Sequence, residues 1–212
     1  MRLTSACDIY YRKVVDQRRR YRPGTDPPYD WFLMLRASSE RPEPETGKDS
    51  RKKVMLTLGG GGHLWQSLAL LRNLDQRNRF CYISTARSAP PEAGRMPEGR
   101  IYYVSDVATL ETTSRWQAAV GLVRSFFGSL RVLRQAEPSV VVCVGTAISV
   151  PILLATRCLG IPGVYVESVT RIRDLSNTGK IIYRLGLAKR LYVQWPEVHA
   201  KYDSTLYYGT VM

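Results

Sequence analysis

Two histidines and four cysteines are scattered through 212 residues, so soft metal-ligating side chains are scarce. The cysteines, Cys7, Cys81, Cys143 and Cys158, never stand in a C-x-x-C spacing, which argues against zinc-ribbon and thioredoxin-type sites. Cys81 and Cys143 lie inside apolar runs, where a reduced thiol packs as a small hydrophobe; the expectation is a reducing compartment and no disulfide framework. No clustered carboxylates suggest a magnesium site, so no metal and no cofactor are expected. Long apolar runs are missing as well. No stretch approaches the ~18 consecutive apolar residues of a transmembrane helix, and the opening residues lack the apolar core of a signal peptide. Together these absences predict a cytosolic chain, or one docked on a membrane from its cytoplasmic face. Acidic residues are few beside basic ones, 18 against 31, giving a formal charge of +13. That balance favours a polyanionic neighbour, whether nucleic acid, an anionic membrane or a phosphate-bearing substrate. A nucleic-acid recognition motif is absent and the arginines are spread over the chain or gathered in its first part, so no nucleic-acid partner is expected.

What is present divides into two parts. Residues 1–52 carry "DQRRRYRPGTDPPYD" and "SSERPEPETGKDSRKK", rich in charge, proline and turn formers. They predict a basic, disordered extension, with a small anchor around Trp31 and Phe32 as the alternative. Residues 53–212 turn regular. Short β-branched and aromatic runs at 54–58, 79–85, 100–104, 139–145, 163–168 and 190–195 alternate with helical patterns at 62–76, 114–136, 148–159 and about 178–188. Near-continuous apolar strands with intervening helices predict an α/β domain, a Rossmann-like doubly wound parallel sheet.

In such a sheet, ligands collect outside the carboxyl ends of the strands. The first strand runs into Gly59-Gly60-Gly61-Gly62 and then His63, at the start of a helix. Bare amides at a helix N-terminus attract phosphate, since dipole and orphan donors both point outward; a tight turn packed on the sheet explains the glycines equally. The spacing is neither the dinucleotide G-x-G-x-x-G nor a P-loop. Later, "YVESVTRIRDLSNTGKIIY" puts Glu167 at a strand end, followed by Arg171, Arg173 and "SNTGK". That carboxylate can orient a hydroxyl, accept its proton, or pair with Arg171 to organise the loop. Ser176 and Thr178 also suit helix capping. A third strand end reads Gln194-Trp195, with Pro196 opening a short helix.

"GGGGH", "YVESVTRI…LSNTGKIIY" and "YVQWPEVHAKY…YYG", in this order over about residues 53–212, resemble the family of the asparagine-linked glycosylation protein fourteen. They are equally similar to the bacterial PssD-type subunits of exopolysaccharide synthesis. Val144-Gly145-Thr146-Ala147 departs from the Asn-Gly-Pro-Gly-Thr of eukaryotic members, and the membrane helix that opens those members is missing; both favour the bacterial branch. The resemblance implies the N-terminal, acceptor-binding half of a GT-B glycosyltransferase, whose donor half is a separate chain binding a UDP-sugar. It implies a polyprenyl-diphosphate-linked acceptor, with Gly60, Gly61 and Gly62 meeting the diphosphate and Arg171 offsetting its charge. Ser176, Thr178 and Gly179 would belong to the same phosphate and acceptor site. His63 or Glu167 would be the base, and Gln194 and Trp195 would lie at the site edge or face the partner. A scaffold that recruits a catalytic partner without contributing catalytic groups is the competing reading.

The segment 114–137 bears on how such a chain would meet a lipid. At about 100° per residue, Trp116, Ala119, Val120, Val123, Phe126, Phe127, Leu130 and Leu133 fall on one broad face, with Arg124 and Arg131 at its rim. A basic amphipathic helix can bind an anionic membrane surface peripherally through residues such as Arg124, Phe127 and Arg131. A helix covering a sheet shows an apolar face too, so the pattern alone leaves both readings open.

Overall fold

The apolar run Val54–Leu58 is buried on both faces, which only the interior of a sheet covered on both sides allows. It belongs to β1 (Lys53–Leu58), an interior strand of a seven-stranded sheet with β2 (Arg79–Thr85), β3 (Gly99–Val104), β4 (Val140–Val144), β5 (Gly163–Val166), β6 (Arg190–Val193) and β7 (Leu206–Tyr207). All pairings are parallel and the spatial order is β3-β2-β1-β4-β5-β6-β7. Helices α1 (Gly62–Asn73), α2 (Arg115–Ala136), α3 (Ser149–Cys158), α4 (Asn177–Arg184) and α5 (Pro196–His199) supply the crossovers and cover. The computed structural model describes residues 51–211 except 75, 87, 89–95 and 108–114. The expected disordered extension and its Trp31–Phe32 alternative lie outside the described residues.

The sheet is the doubly wound one that the alternating pattern predicts. The chain runs from β1 outward to β2 and β3, then returns to the other side of β1 as β4. This reversal opens a crevice between β1 and β4, where open α/β sheets hold ligands. The two strands are locked at that point: Thr57 Oγ1 accepts the amide of Val144 at 3.0 Å, and Ser67 of α1 donates to the Thr57 carbonyl at 3.0 Å. Leu68, Leu70 and Leu71 bury α1 against the sheet, at ~1.5–3 kcal/mol of apolar transfer each. That packing outweighs the unfavourable glycine start of the helix.

Two strands end two residues earlier than their apolar runs suggest. β5 stops at Val166 rather than 168 and β6 at Val193 rather than 195. The residues that follow, Glu167 and Gln194, remain buried, with their side chains hydrogen-bonded to neighbouring segments. β7 has two residues pairing Leu206 with Tyr192 and Tyr207 with Val193, too short for any periodicity to signal.

Helix α2 corrects the single broad face that the periodicity suggests. Its core side is Ser125, Ser129, Val132, Leu133 and Ala136. Trp116, Val120, Val123 and Phe127, at spacings of four, three and four, are exposed on the opposite side. Leu133 therefore belongs to the core and Trp116 does not.

Candidate active site at the strand ends

Beyond Leu58 the chain enters the crevice. Gly59 is buried, whereas Gly60, Gly61 and Gly62 are exposed. Gly61 is the N-cap of α1 with φ 58° and, as a glycine, makes no side-chain cap hydrogen bond to the first amides of the helix. A Cβ built on Gly61 or Gly62 would meet nothing within 4 Å. The loop thus presents uncapped helix-start amides to open space, the arrangement that suits an anion.

His63, the second residue of α1, is half-buried and turned toward β4. Gly145, just past that strand, has φ 57°, and a Cβ there would lie 2.6 Å from His63 Nδ1. Glycine is required at 145 on both counts, conformation and space. Nδ1 itself is buried without a hydrogen-bond partner among the described residues. Burial, followed by the positive charge of Arg171, lowers the His63 pKa from its ordinary value, so the imidazole is neutral near pH 7. The structure therefore brings His63, the exposed glycines and Arg171 into one neighbourhood.

Glu167 is placed differently from the expectation of a base. It is 1% exposed. Oε1 accepts from the Ser168 amide at 2.8 Å and the Tyr165 hydroxyl at 3.3 Å. Oε2 accepts from the Ser176 amide at 3.0 Å and the Ser176 hydroxyl at 2.9 Å. Burial raises its pKa and these hydrogen bonds oppose the rise. With each oxygen doubly engaged inside the protein, Glu167 has no open face for an acceptor hydroxyl. Nor are its hydrogen bonds drawn from Arg171, so the expected ion pair is replaced by serine and tyrosine donors. It stitches the end of β5 to the start of α4.

Ser176 and Gly179 serve the same stitch. Ser176 Oγ also accepts the Gly179 amide at 2.9 Å and is the N-cap of α4, the capping role its sequence allowed. A Cβ at Gly179 would collide with Glu167 Oε2, so this glycine admits the carboxylate rather than a ligand. Thr178 is half-buried on the first turn of α4. Arg171 and Arg173 stay exposed on the loop. Asp174 anchors that loop, taking Lys180 Nζ and the Tyr202 hydroxyl at 2.6 Å each; these bonds hold its pKa down to about 2.

Gln194 and Trp195 are interior supports, not an edge open to a partner, since both are buried. Gln194 Nε2 donates to the Glu167 carbonyl at 2.8 Å, and its Oε1 accepts the Val211 amide at 3.0 Å. Trp195 Nε1 donates to the Val169 carbonyl at 2.6 Å. The residue that sequence reasoning missed is Gln66. It is 2% exposed on the inner face of α1 and reaches the 168–169 turn. Its signal was available: positions 62, 66 and 70 share a helix face, and a polar residue between a glycine start and a buried leucine invites a buried partner.

Away from the crevice, a surface depression of about 310 Å³ on α2 is lined by Trp116, Gln117, Val120, Gly121 and Arg124. None of the crevice residues lines it. Arg131 is exposed farther along the same helix. Among the described residues, no helix is long and apolar enough to cross a membrane.

With this geometry in place, the comparison with known proteins is direct. Residues 54–211 match the family described as oligosaccharide biosynthesis protein Alg14 like. The chain belongs to that family. This Alg14-like chain is 27% identical over 202 residues to the UDP-N-acetylglucosamine transferase subunit ALG14 of Homo sapiens, covering 85% of the chain and 93% of the human protein. A bacterial enzyme of Geobacillus thermodenitrificans, named UDP-N-acetylglucosamine–N-acetylmuramyl-(pentapeptide) pyrophosphoryl-undecaprenol N-acetylglucosamine transferase, is 25% identical over 76% of the chain but only 46% of its own length. Among solved structures, Acinetobacter baumannii MurG superposes with a TM-score of 0.56 at 21% identity, over 75% of this chain and 44% of MurG. That likeness concerns fold. The Alg14-like chain has the fold of one Rossmann-like half of a GT-B glycosyltransferase and spans less than half the length of MurG.

Proposed function

We propose that this chain is the acceptor-binding, membrane-docking subunit of a two-chain glycosyltransferase. A separate donor-binding chain would supply the UDP-sugar, and the acceptor would be a polyprenyl-diphosphate-linked saccharide. The observation that carries the reading is the open, uncapped start of α1, with neutral His63 and the positive charge of Arg171 beside it. Helix-start amides and a guanidinium suit a diphosphate. Relatives named for N-acetylglucosamine transfer, one of them onto a pyrophosphoryl-undecaprenol substrate, support the same ligand and make UDP-N-acetylglucosamine the first donor to test.

In the reaction, an acceptor hydroxyl oxygen attacks the anomeric carbon of the donor sugar. The bond from that carbon to the UDP β-phosphate oxygen breaks, UDP leaves, and the hydroxyl proton passes to a base. With Glu167 sequestered, His63 is the proposed base of this chain for the acceptor hydroxyl. The exposed Trp116–Phe127 stripe of α2, rimmed by Arg124 and Arg131, would lie on the cytoplasmic face of an anionic membrane.

The test is reconstitution with a donor-binding partner, UDP-N-acetylglucosamine and a polyprenyl-diphosphate acceptor. His63→Ala is expected to lower kcat about 10²–10⁴-fold while the complex still assembles and the melting temperature changes little. Sequestration of Glu167 favours one second reading, a scaffold whose partner holds every catalytic group. Full activity of the His63→Ala complex would establish that reading instead.

A further inference from the structure

Gln66 uses both ends of its amide. Nε2 donates to Ser168 Oγ at 3.3 Å and to the Gly62 carbonyl at 3.5 Å. Oε1 accepts the Val169 amide at 3.0 Å and Gln194 Nε2 at 3.3 Å. A side chain with two donors and two acceptors at one buried point joins the glycine loop, the turn after β5 and the end of β6. An apolar residue could fill the same volume and bind α1 to the sheet equally well. It would leave the Val169 amide without its acceptor, which is costly in a buried site. Packing alone therefore does not account for glutamine.

The turn that Gln66 grips is the one leading to Arg171, whose amide donates to the Ser168 carbonyl at 3.0 Å. Among the described residues, two side chains from outside hold Val169 of this turn. Trp195, beyond β6, binds the Val169 carbonyl. Gln66 alone of the two lies on α1, the helix that carries His63. Without Gln66 the turn stays attached to β6 but loses its tether to the histidine.

We propose that Gln66 is a positioning residue, which holds the 168–171 turn and its Arg171 in register with the glycine loop and His63. The proposal rests on the acceptor-site reading for its catalytic consequence, but not for its geometric one. Arg171 is the charged group that acts on His63, so the histidine reports the position of the turn.

The experiment is an NMR titration of the full chain, whose only two histidines, His63 and His199, give few signals to assign. Gln66→Met is expected to raise the His63 midpoint toward that of an ordinary histidine and to leave His199 unmoved. Arg171→Gln should raise it likewise, and the double variant should add nothing further, as for two residues in one pathway. In the reconstituted complex, Gln66→Met should lower kcat about 10- to 100-fold with the KM for UDP-sugar unchanged. Should Gln66→Met fail to fold, Ser168→Ala removes one tether from a small side chain and should give a smaller rise of the same sign. An unmoved His63 midpoint, or additive shifts in the double variant, would overturn the proposal and make Gln66 a packing residue. Absence of transfer by the wild-type complex would sink the acceptor-site reading, while the titration would still decide about Gln66.

Discussion

Glycines at two positions of the crevice answer to different physics, and substitution separates them. Gly145 is held at φ 57° against His63 Nδ1, so Gly145→Ala both strains the backbone and pushes the imidazole aside. It is expected to cost about 1 kcal/mol or more in stability and to reduce transfer together with it. Gly62 faces open space, so Gly62→Val should leave the melting temperature within the few degrees expected for an exposed helix-start substitution. On the proposed acceptor site, transfer should still collapse, because branched methyls would stand where a diphosphate would meet the amides. Differential scanning calorimetry beside a turnover assay reads both quantities. Equal stability losses in the two variants would mean that the glycine run is there for packing. Of these residues, the glycine loop was legible as a strand-to-helix turn with His63 at the start of the helix, because four glycines follow an apolar strand there. Gln66 carried only a weak signal, its place on the helix face of positions 62 and 70, since a lone glutamine on a helix reads as solvated until the 168–169 turn is known to lie over it. Glu167 was legible as a distinctive carboxylate but not as a sequestered one, because Tyr165 and Ser176 converge on it only in the folded chain.

At the scale of elements, apolar runs revealed six strands, and the observed ends differ where side chains hydrogen-bond to neighbouring segments. β7 escaped notice because two residues carry no period. Periodicity placed α2 but drew its face too broadly: the exposed stripe and the core side are both apolar, and only burial tells Phe127 from Leu133. The loop between β5 and α4 is tied down by Asp174, and this tie has a definite pH signature. Hydrogen bonds from Lys180 and Tyr202 depress its carboxyl from 3.8 to about 2. A carboxyl depressed in the folded state stabilises it fully above the unfolded value, and that contribution is lost as pH falls through about 2. Asp174→Asn should therefore lower the melting temperature by a constant, modest amount above pH 4. The gap to wild type should close as pH drops from 4 toward 2. A gap that persisted to pH 2 would mean that Asp174 acts through shape and not charge.

For the molecule as a whole, the question is how a chain with no membrane-crossing helix among its described residues would reach the proposed lipid-borne acceptor. Trp116 is 82% exposed and Phe127 61%, on the side of α2 that faces away from the sheet, and exposed arginines flank them. Large exposed apolar stripes rimmed by charge mark interaction surfaces, and the net charge of +13 favours an anionic one. Apolar insertion and electrostatic attraction respond differently to salt. The attraction weakens as the screening length shrinks from about 10 Å at 0.1 M to about 3 Å at 1 M, whereas insertion does not. The full-length chain is expected to bind anionic vesicles, to leave them progressively as salt rises over that range, and to ignore neutral ones. Arg124→Glu with Arg131→Glu should abolish binding. Phe127→Ser should weaken it at every salt concentration without lowering the melting temperature, since that ring is outside the core. Turnover gives the decisive comparison. With a long-chain acceptor in vesicles, salt and the charge reversal should reduce the rate in parallel with the bound fraction. With a short-chain, water-soluble acceptor neither should matter. If salt and charge reversal slowed both acceptors equally, the arginines would belong to the reaction or to the partner interface, and α2 would have to be removed from the membrane.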